Sequence, residues 1–285
     1  MSKENLFDLK GKIAVVTGGG GVLCGDIAKG LAACGVKVAV LDLKKEAAES
    51  VVNDIKKNNG EAIAVVCNVL ERASIEQACE QVIKAYGQPN ILINGAGGNS
   101  PKATTSKEQL SVADLKNKTE NFKTFFDLTP EGTQFVFNLN FLGTLLPTQV
   151  FGLKMAENGG GVMLNVSSMN AFRPLTKIPA YSAAKAAVSN FTQWASMHLA
   201  PVNIRVNAIA PGFFLTEQNR FLLTEQKTGE LTPRGKSIIA HTPMSRFGVP
   251  EDLFGTIIWL LSDASNFVTG IVVPVDGGFS AYSGV

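Results

Sequence analysis

Short, mostly apolar runs alternate with longer stretches whose apolar residues recur at helical spacing. The runs are Ile13–Val16, Val36–Leu41, Ala62–Cys67 and Ile91–Ile93. Between them lie a helix ending near Cys34, a charged helix through Lys57 and a helix from about Ser74 to Tyr86. Apolar runs without polar alternation suit strands buried on both faces of a parallel sheet. Val162–Val166, Ile204–Ile209 and Ile271–Val275 continue the pattern. The alternation predicts βαβ units and an α/β fold: one domain over residues 1–285, a doubly wound parallel sheet of Rossmann type with helices on both faces. Two stretches break the rhythm. Residues 99–133 are polar and lysine-containing, with no long apolar period, and residues 213–242 suit a loop with one or two short helices that form a lid. Both read as insertions into one core, and loops of that length tend to be functional or disordered.

Composition narrows the partners. Hydrophobic residues make up 45% of the 285, enough for a large core, and a net charge of +2 without a basic block argues against nucleic acid. No run approaches the ~20 apolar residues of a membrane span. Met1–Lys10 is polar, unlike a signal peptide. Cys24, Cys34, Cys67 and Cys79 stand singly, as free thiols do in a reducing cytosol, so a cytoplasmic protein is expected. The histidines are His198 and His241 alone, which leaves little for a histidine triad or a histidine-rich metal site. No metal is expected.

The first strand runs into Thr17-Gly18-Gly19-Gly20-Gly21, followed by Val22, Leu23 and a helix-like stretch. In a doubly wound sheet this turn holds phosphates: glycines let backbone N–H groups come close, and the helix N-terminus favours negative charge. Asp42 ends the second strand 24 positions after Gly18. A carboxylate there accepts from ribose hydroxyls and repels a 2′-phosphate, which predicts NAD(H) rather than NADP(H), although Lys44 and Lys45 pull the other way. Asn68-Val69 follows the third strand at the adenine side, and Asn94-Gly95-Ala96-Gly97 ends the fourth on the nicotinamide side.

Tyr181 and Lys185 are four apart, so on a helix they face the same way. A free phenol has a pKa of about 10, and a neighbouring ammonium with a cationic nicotinamide would lower it. Tyr181 is therefore the expected acid/base. Ser168, thirteen residues earlier at a strand end, can hydrogen-bond the reacting oxygen. Asn140 can hold a water linking Lys185 to solvent, with Asn138 as its rival.

The order Thr17–glycine loop, Asn94-Gly95-Ala96-Gly97, Asn140-x-x-Gly143, Ser168, Tyr181-x-x-x-Lys185 and Pro211-Gly212 resembles the short-chain dehydrogenase/reductase family from about Leu9 to Phe279. The resemblance implies a tetrad of Asn140, Ser168, Tyr181 and Lys185. It also implies that Lys185 holds the nicotinamide ribose and that Pro211, Gly212 and Thr216 pass beside the nicotinamide. Arg246–Asp252 and Val275–Gly278 resemble the family's tail, which commonly packs into homotetramers. Three departures stand out: Val22 and Cys24 where the family pattern has glycines, Asn68 where Asp is frequent, and Asn94-Gly95 for Asn-Asn. The Gly-Gly-Gly-Gly-Val-Leu-Cys-Gly variant is similar to the D-mannonate oxidoreductase (fructuronate reductase) subgroup of hexuronate catabolism. So are Gly98–Thr105, Thr124–Leu128 and Asn138–Gln149.

That likeness implies NAD-dependent interconversion of D-mannonate and D-fructuronate at C5, with a small-molecule sugar acid as the partner. Reduction of another keto sugar acid, such as 5-ketogluconate, or of an acyl thioester is the alternative; a non-catalytic NAD sensor sits poorly with intact Ser168, Tyr181 and Lys185. The substrate carboxylate needs a cation. Arg173, between Ser168 and Tyr181, is the first choice, with Lys102 and Arg246 behind it, and Asn99 and Asn170 are placed to bind hydroxyls.

Overall fold

A computed structural model describes residues 5–116, 119–216, 220–225 and 228–284. Seven parallel strands form one sheet in the order β3-β2-β1-β4-β5-β6-β7. They are β1 (Ile13–Thr17), β2 (Lys37–Asp42), β3 (Ala62–Val66), β4 (Ile91–Asn94), β5 (Gly161–Val166), β6 (Ile204–Pro211) and β7 (Val272–Val275). The helices are α1 (Val22–Ala33), α2 (Lys45–Lys57), α3 (Arg72–Tyr86), α4 (Val112–Lys116), α5 (Pro130–Phe137), α6 (Gly143–Glu157), α7 (Pro179–Leu199), α8 (Arg220–Leu223), α9 (Pro233–Ala240) and α10 (Glu251–Leu261).

The strands are mostly apolar because both faces are covered. Ala14 and Val16 of β1 pack with Ile27 and Leu31 of α1 and Leu253 and Ile257 of α10. Val15, between them, faces the other way onto Val82 of α3 and Phe151 and Met155 of α6. That is the period of two expected of a strand. Strand order reverses between β1 and β4, and the crevice outside the carboxyl ends of these strands is where such sheets bind ligands.

In β1, β2 and β4 the apolar run ends one residue short of the strand. Thr17 pairs with Leu41 and Asn94, and Asp42 pairs with Val66, because the backbone ladder continues after the apolar pattern stops. β1, β2 and β4 therefore end on polar residues, Thr17, Asp42 and Asn94.

The first insertion carries short elements rather than none: a 3₁₀ turn at Pro101–Ala103, α4, and a second 3₁₀ turn at Phe125–Asp127 closed by a Thr124–Asp127 capping box. It lies against the approach to α7, with the Thr105 N–H donating to the Lys177 carbonyl at 2.9 Å. The second insertion forms α8 and α9, as its pattern predicts. Residues 117–118, 217–219 and 226–227 of these two stretches lie outside the described residues, as do 1–4 and 285. No described helix is long and apolar enough to cross a membrane.

Candidate active site

Beyond β1 the chain turns at Gly18, whose φ of +63° only glycine adopts freely, and a Cβ there would sit 2.8 Å from the Ala96 backbone. The Gly20 N–H donates to the Asp42 carboxylate at 3.0 Å, pinning the loop to the end of β2. Gly21 caps α1 without any side-chain hydrogen bond. The first-turn N–H groups at Val22, Leu23 and Cys24 therefore have no intrahelical partner and face an anion-sized opening. A cleft of about 460 Å³ is lined by Gly18, Gly21, Val22, Leu23, Asp42, Gly95, Gly97, Gly212 and Thr216, together with Cys24, Phe213 and Phe214. Glycine α-carbons form much of its wall, and that open cradle fits a dinucleotide. Asp42 Oδ1 accepts from the Lys44 N–H at 2.9 Å, and each carboxylate oxygen retains a lone pair for a ribose hydroxyl.

Other expected cofactor residues make hydrogen bonds or packing contacts within the chain. Thr17 is fully buried, and its hydroxyl ties β1 to β4, accepting from the Gly95 and Ala96 N–H groups at 3.1 and 3.3 Å. Asn94 donates to Thr148 and Asn165 at 3.0 and 2.9 Å inside the sheet–helix layer. Asn68 spends its amide on the Leu70 N–H and Glu71, and Val69 is buried against the α-carbon of Gly143. Pro211 is buried as the last residue of β6, and Ala96 packs on Gly18. Thr17 thus holds the turn at the cleft, while Asn94 and Asn68 are hydrogen-bonded within the sheet–helix layer and within their own turn.

Cys24 and Gly95 explain each other. A Cβ at Gly95 would overlap the Cys24 sulfur, so the thiol fills the space a side chain at 95 would take. Two departures from the family pattern form one packing unit.

The chemical residues converge. Ser168 ends the segment after β5, and its hydroxyl hydrogen-bonds the Tyr181 phenol. Lys185, one turn along α7, is 3% exposed and donates to the Val166 carbonyl at 2.8 Å. Its ammonium lies 5.6 Å from the Tyr181 ring centre. A π-helical turn, Asn138–Leu142, leaves Asn138 exposed and turns Asn140 wholly inside. The Asn140 amide clasps Gly98, accepting from its N–H at 3.2 Å and donating to its carbonyl at 2.7 Å. Gly97 is wedged between Asn140 and Lys185 with no room for a side chain.

The sequence pattern of the short chain dehydrogenase family matches residues 12–227. The chain is a short-chain dehydrogenase. It is 52% identical over 279 residues to an uncharacterized oxidoreductase of Haemophilus influenzae, covering 98% of this chain and 96% of that one. It is 50% identical over 279 residues to the uncharacterized oxidoreductase UxuB of Bacillus subtilis, covering 98% of each. A crystal structure from Haemophilus influenzae, provisionally designated a D-mannonate oxidoreductase with bound NAD, superposes with a TM-score of 0.92 at 51% identity and 98% coverage of both chains.

Two charge expectations change in the dehydrogenase. Burial pushes the Tyr181 phenol above its ordinary range, and the Ser168 hydrogen bond draws it only part of the way back. Lys185 does not depress it in the chain alone, because burial lowers Lys185 itself to about 8. Below pH 8 the folded protein keeps a charged ammonium in a buried place; between about 8 and 10.5 the unfolded chain holds more proton than the folded one, and stability from this group rises with pH. Lys185→Met is therefore expected to raise Tm at pH 7 by a few degrees, on the order of 1–2 kcal/mol. The gain shrinks towards pH 10.5; calorimetry showing a pH-independent or negative shift counts against it.

The expected substrate residues separate. Asn170 is buried beside Ser168, its N–H 3.3 Å from the serine oxygen, and its Oδ1 has no partner among the described residues. Asn99 is exposed and donates to Thr104 at 2.9 Å. Arg173 is exposed, with Nε held by the Ser280 carbonyl at 3.1 Å. Arg246 pairs with Asp252 through both terminal nitrogens, at 2.6 and 2.8 Å. Lys102 is exposed on the 3₁₀ turn at Pro101–Ala103 and lines neither the cofactor cleft nor the cavity beside it. Sequence spacing gave no sign of Phe213, which stands between that cleft and the neighbouring cavity.

Proposed function

We propose that this dehydrogenase interconverts D-mannonate and D-fructuronate with NAD(H), as a cytoplasmic homotetramer. What carries the proposal is a glycine-walled cleft with Asp42 in its lining, together with the grouping of Ser168, Tyr181 and Lys185, whose ammonium lies against Gly97 of the same cleft. The 51% identity to a structure provisionally designated a D-mannonate oxidoreductase with bound NAD supports the substrate.

When bound, NAD(H) accepts or supplies the hydride. The chain's own part begins with α1, whose first-turn N–H groups and Gly18–Gly21 receive the pyrophosphate, and with Asp42, which accepts from the adenosine ribose. In reduction, the neutral Tyr181 phenol donates its proton to the carbonyl oxygen as Ser168 donates a hydrogen bond to the same oxygen. Oxidation runs the proton the other way, from the substrate hydroxyl to Tyr181. Lys185 holds the nicotinamide ribose, and Asn140 keeps a water beside it that returns the proton to solvent. Asn170 Oδ1, buried and unpartnered, accepts from a substrate hydroxyl.

Purified protein is expected to oxidise NADH on addition of fructuronate and to reduce NAD on addition of mannonate, read at the nicotinamide absorbance. Failure with both, against turnover of other hexonates, replaces the substrate assignment. Asp42→Ser is expected to raise the NADPH-to-NADH ratio of kcat/KM about tenfold, since ~1.4 kcal/mol of lost repulsion is a factor of ten. A wild-type preference for NADPH counts against Asp42.

A further inference from the structure

A sugar acid brings a carboxylate into the site, and the first-choice arginine, Arg173, is held by the C-terminal segment. Next to the cofactor cleft lies a cavity of about 220 Å³ bounded by Leu175 and Thr176 of the Ser168–Tyr181 segment, by Glu108 of the first insertion, and by Arg234 and His241 of the second. Phe213 lines both this cavity and the cofactor cleft, and its ring meets Phe279 edge-on at 5.2 Å. The cavity is thus walled by the segment between Ser168 and Tyr181 and by both insertions.

We infer that Arg234 is the residue that selects for the substrate's carboxylate; the inference rests on the sugar-acid function proposed above. Arg234 is the one lysine or arginine among the described residues lining this cavity, and its guanidinium has no hydrogen-bond or ion-pair partner among them. A guanidinium presents a planar fork that binds a carboxylate through two parallel hydrogen bonds. Its mounting is firm. Thr232 caps α9 by accepting from the Gly235 N–H at 3.1 Å, and the Thr232 N–H donates to the Leu223 carbonyl at 3.0 Å. Gly235 lets α9 press onto that same carbonyl, where a Cβ would overlap it. At the far end of α9 the Thr242 hydroxyl donates to the Ile238 carbonyl at 2.8 Å, and the Met244 N–H donates to Gly277 at 3.1 Å.

The other polar walls suit hydroxyls. His241 Nδ1 lies 2.7 Å from the Ser237 carbonyl; a carbonyl only accepts, so Nδ1 carries the proton and Nε2 of the neutral ring is an acceptor. Glu108 is a second acceptor. Acceptors around one exposed cation on an anchored helix match a polyhydroxy chain ending in a carboxylate.

The experiment is a kinetic panel run with NADH: fructuronate, other keto acids, and neutral keto sugars of the same length, on wild type, Arg234→Gln, Arg234→Lys and Lys236→Gln. Arg234→Gln is expected to cut kcat/KM for acids about 30-fold, mostly through KM, as for loss of a charge-assisted pair. Neutral ketones and NADH affinity stay unchanged. Arg234→Lys restores part of the acid preference, and Lys236→Gln, an exposed cation on the same helix, leaves it intact. Wild-type turnover of fructuronate that Arg234→Gln does not weaken overturns the role of Arg234 and leaves the proposed reaction standing. Preference for other acids but not fructuronate, lost in Arg234→Gln, overturns the named substrate and upholds Arg234. Equal use of acids and neutral ketones by the wild type overturns both.

Discussion

Tyr181→Phe is expected to lower kcat by about 10³-fold while NADH still binds within a few-fold of wild type, because general acid–base catalysis by one positioned group contributes roughly 10²–10⁴. The phenylalanine ring keeps the packing of the phenol against Ala103, Val136 and Ala180, so the fold is spared and only the transferable proton is lost. Ser168 cannot replace it: its hydroxyl lies beside the phenol but lacks acidity near neutrality. Lys185 cannot either, since its ammonium is turned to the Val166 carbonyl at 2.8 Å. Single-turnover kinetics with saturating NADH separate hydride transfer from product release. Turnover within tenfold of wild type would assign the proton transfer elsewhere.

The second large effect concerns stability. Gly95→Asn is expected to cost several kcal/mol, and Gly95→Ala about 1–3 kcal/mol as overpacking does, because the new Cβ overlaps the Cys24 sulfur. Cys24→Gly alone is also costly, through an emptied site and a glycine near the start of α1, the latter ~1 kcal/mol. Combined, Cys24→Gly and Gly95→Asn recover most of the loss, leaving the strain against the Thr17 carbonyl, which lies 2.9 Å from the same Cβ position. A double-mutant cycle by thermal unfolding reads the coupling; simple addition of the two costs sinks the idea that one residue replaces the other. Burial pushes the Cys24 thiol up to about 11, so it acts here as a filler and not as a thiolate.

Much of this architecture was legible because its signals are local. Mostly apolar runs mark strands covered on both faces, and the four-residue step from Tyr181 to Lys185 puts two groups on one side of α7. What escaped depends on distant partners. Arg173 looks free in the sequence until Ser280, 107 positions away, supplies its acceptor. The different burial of Asn138 and Asn140 hangs on a π-helical turn that shifts the helix face, and no propensity marks that turn. The phenol's shift in the chain alone has a related origin: spacing locates the ammonium, but burial, which sets the direction for both Tyr181 and Lys185, belongs to the assembled fold.

Phe213 belongs to the walls of both the cofactor cleft and the cavity holding Arg234. One ring cannot yield space to both neighbours at once, so a shift that widens one narrows the other. Any such shift makes the two ligands report on each other across a single side chain. Linkage then requires equality: whatever factor a bound acid imposes on the dissociation constant of NADH, NADH imposes on that of the acid.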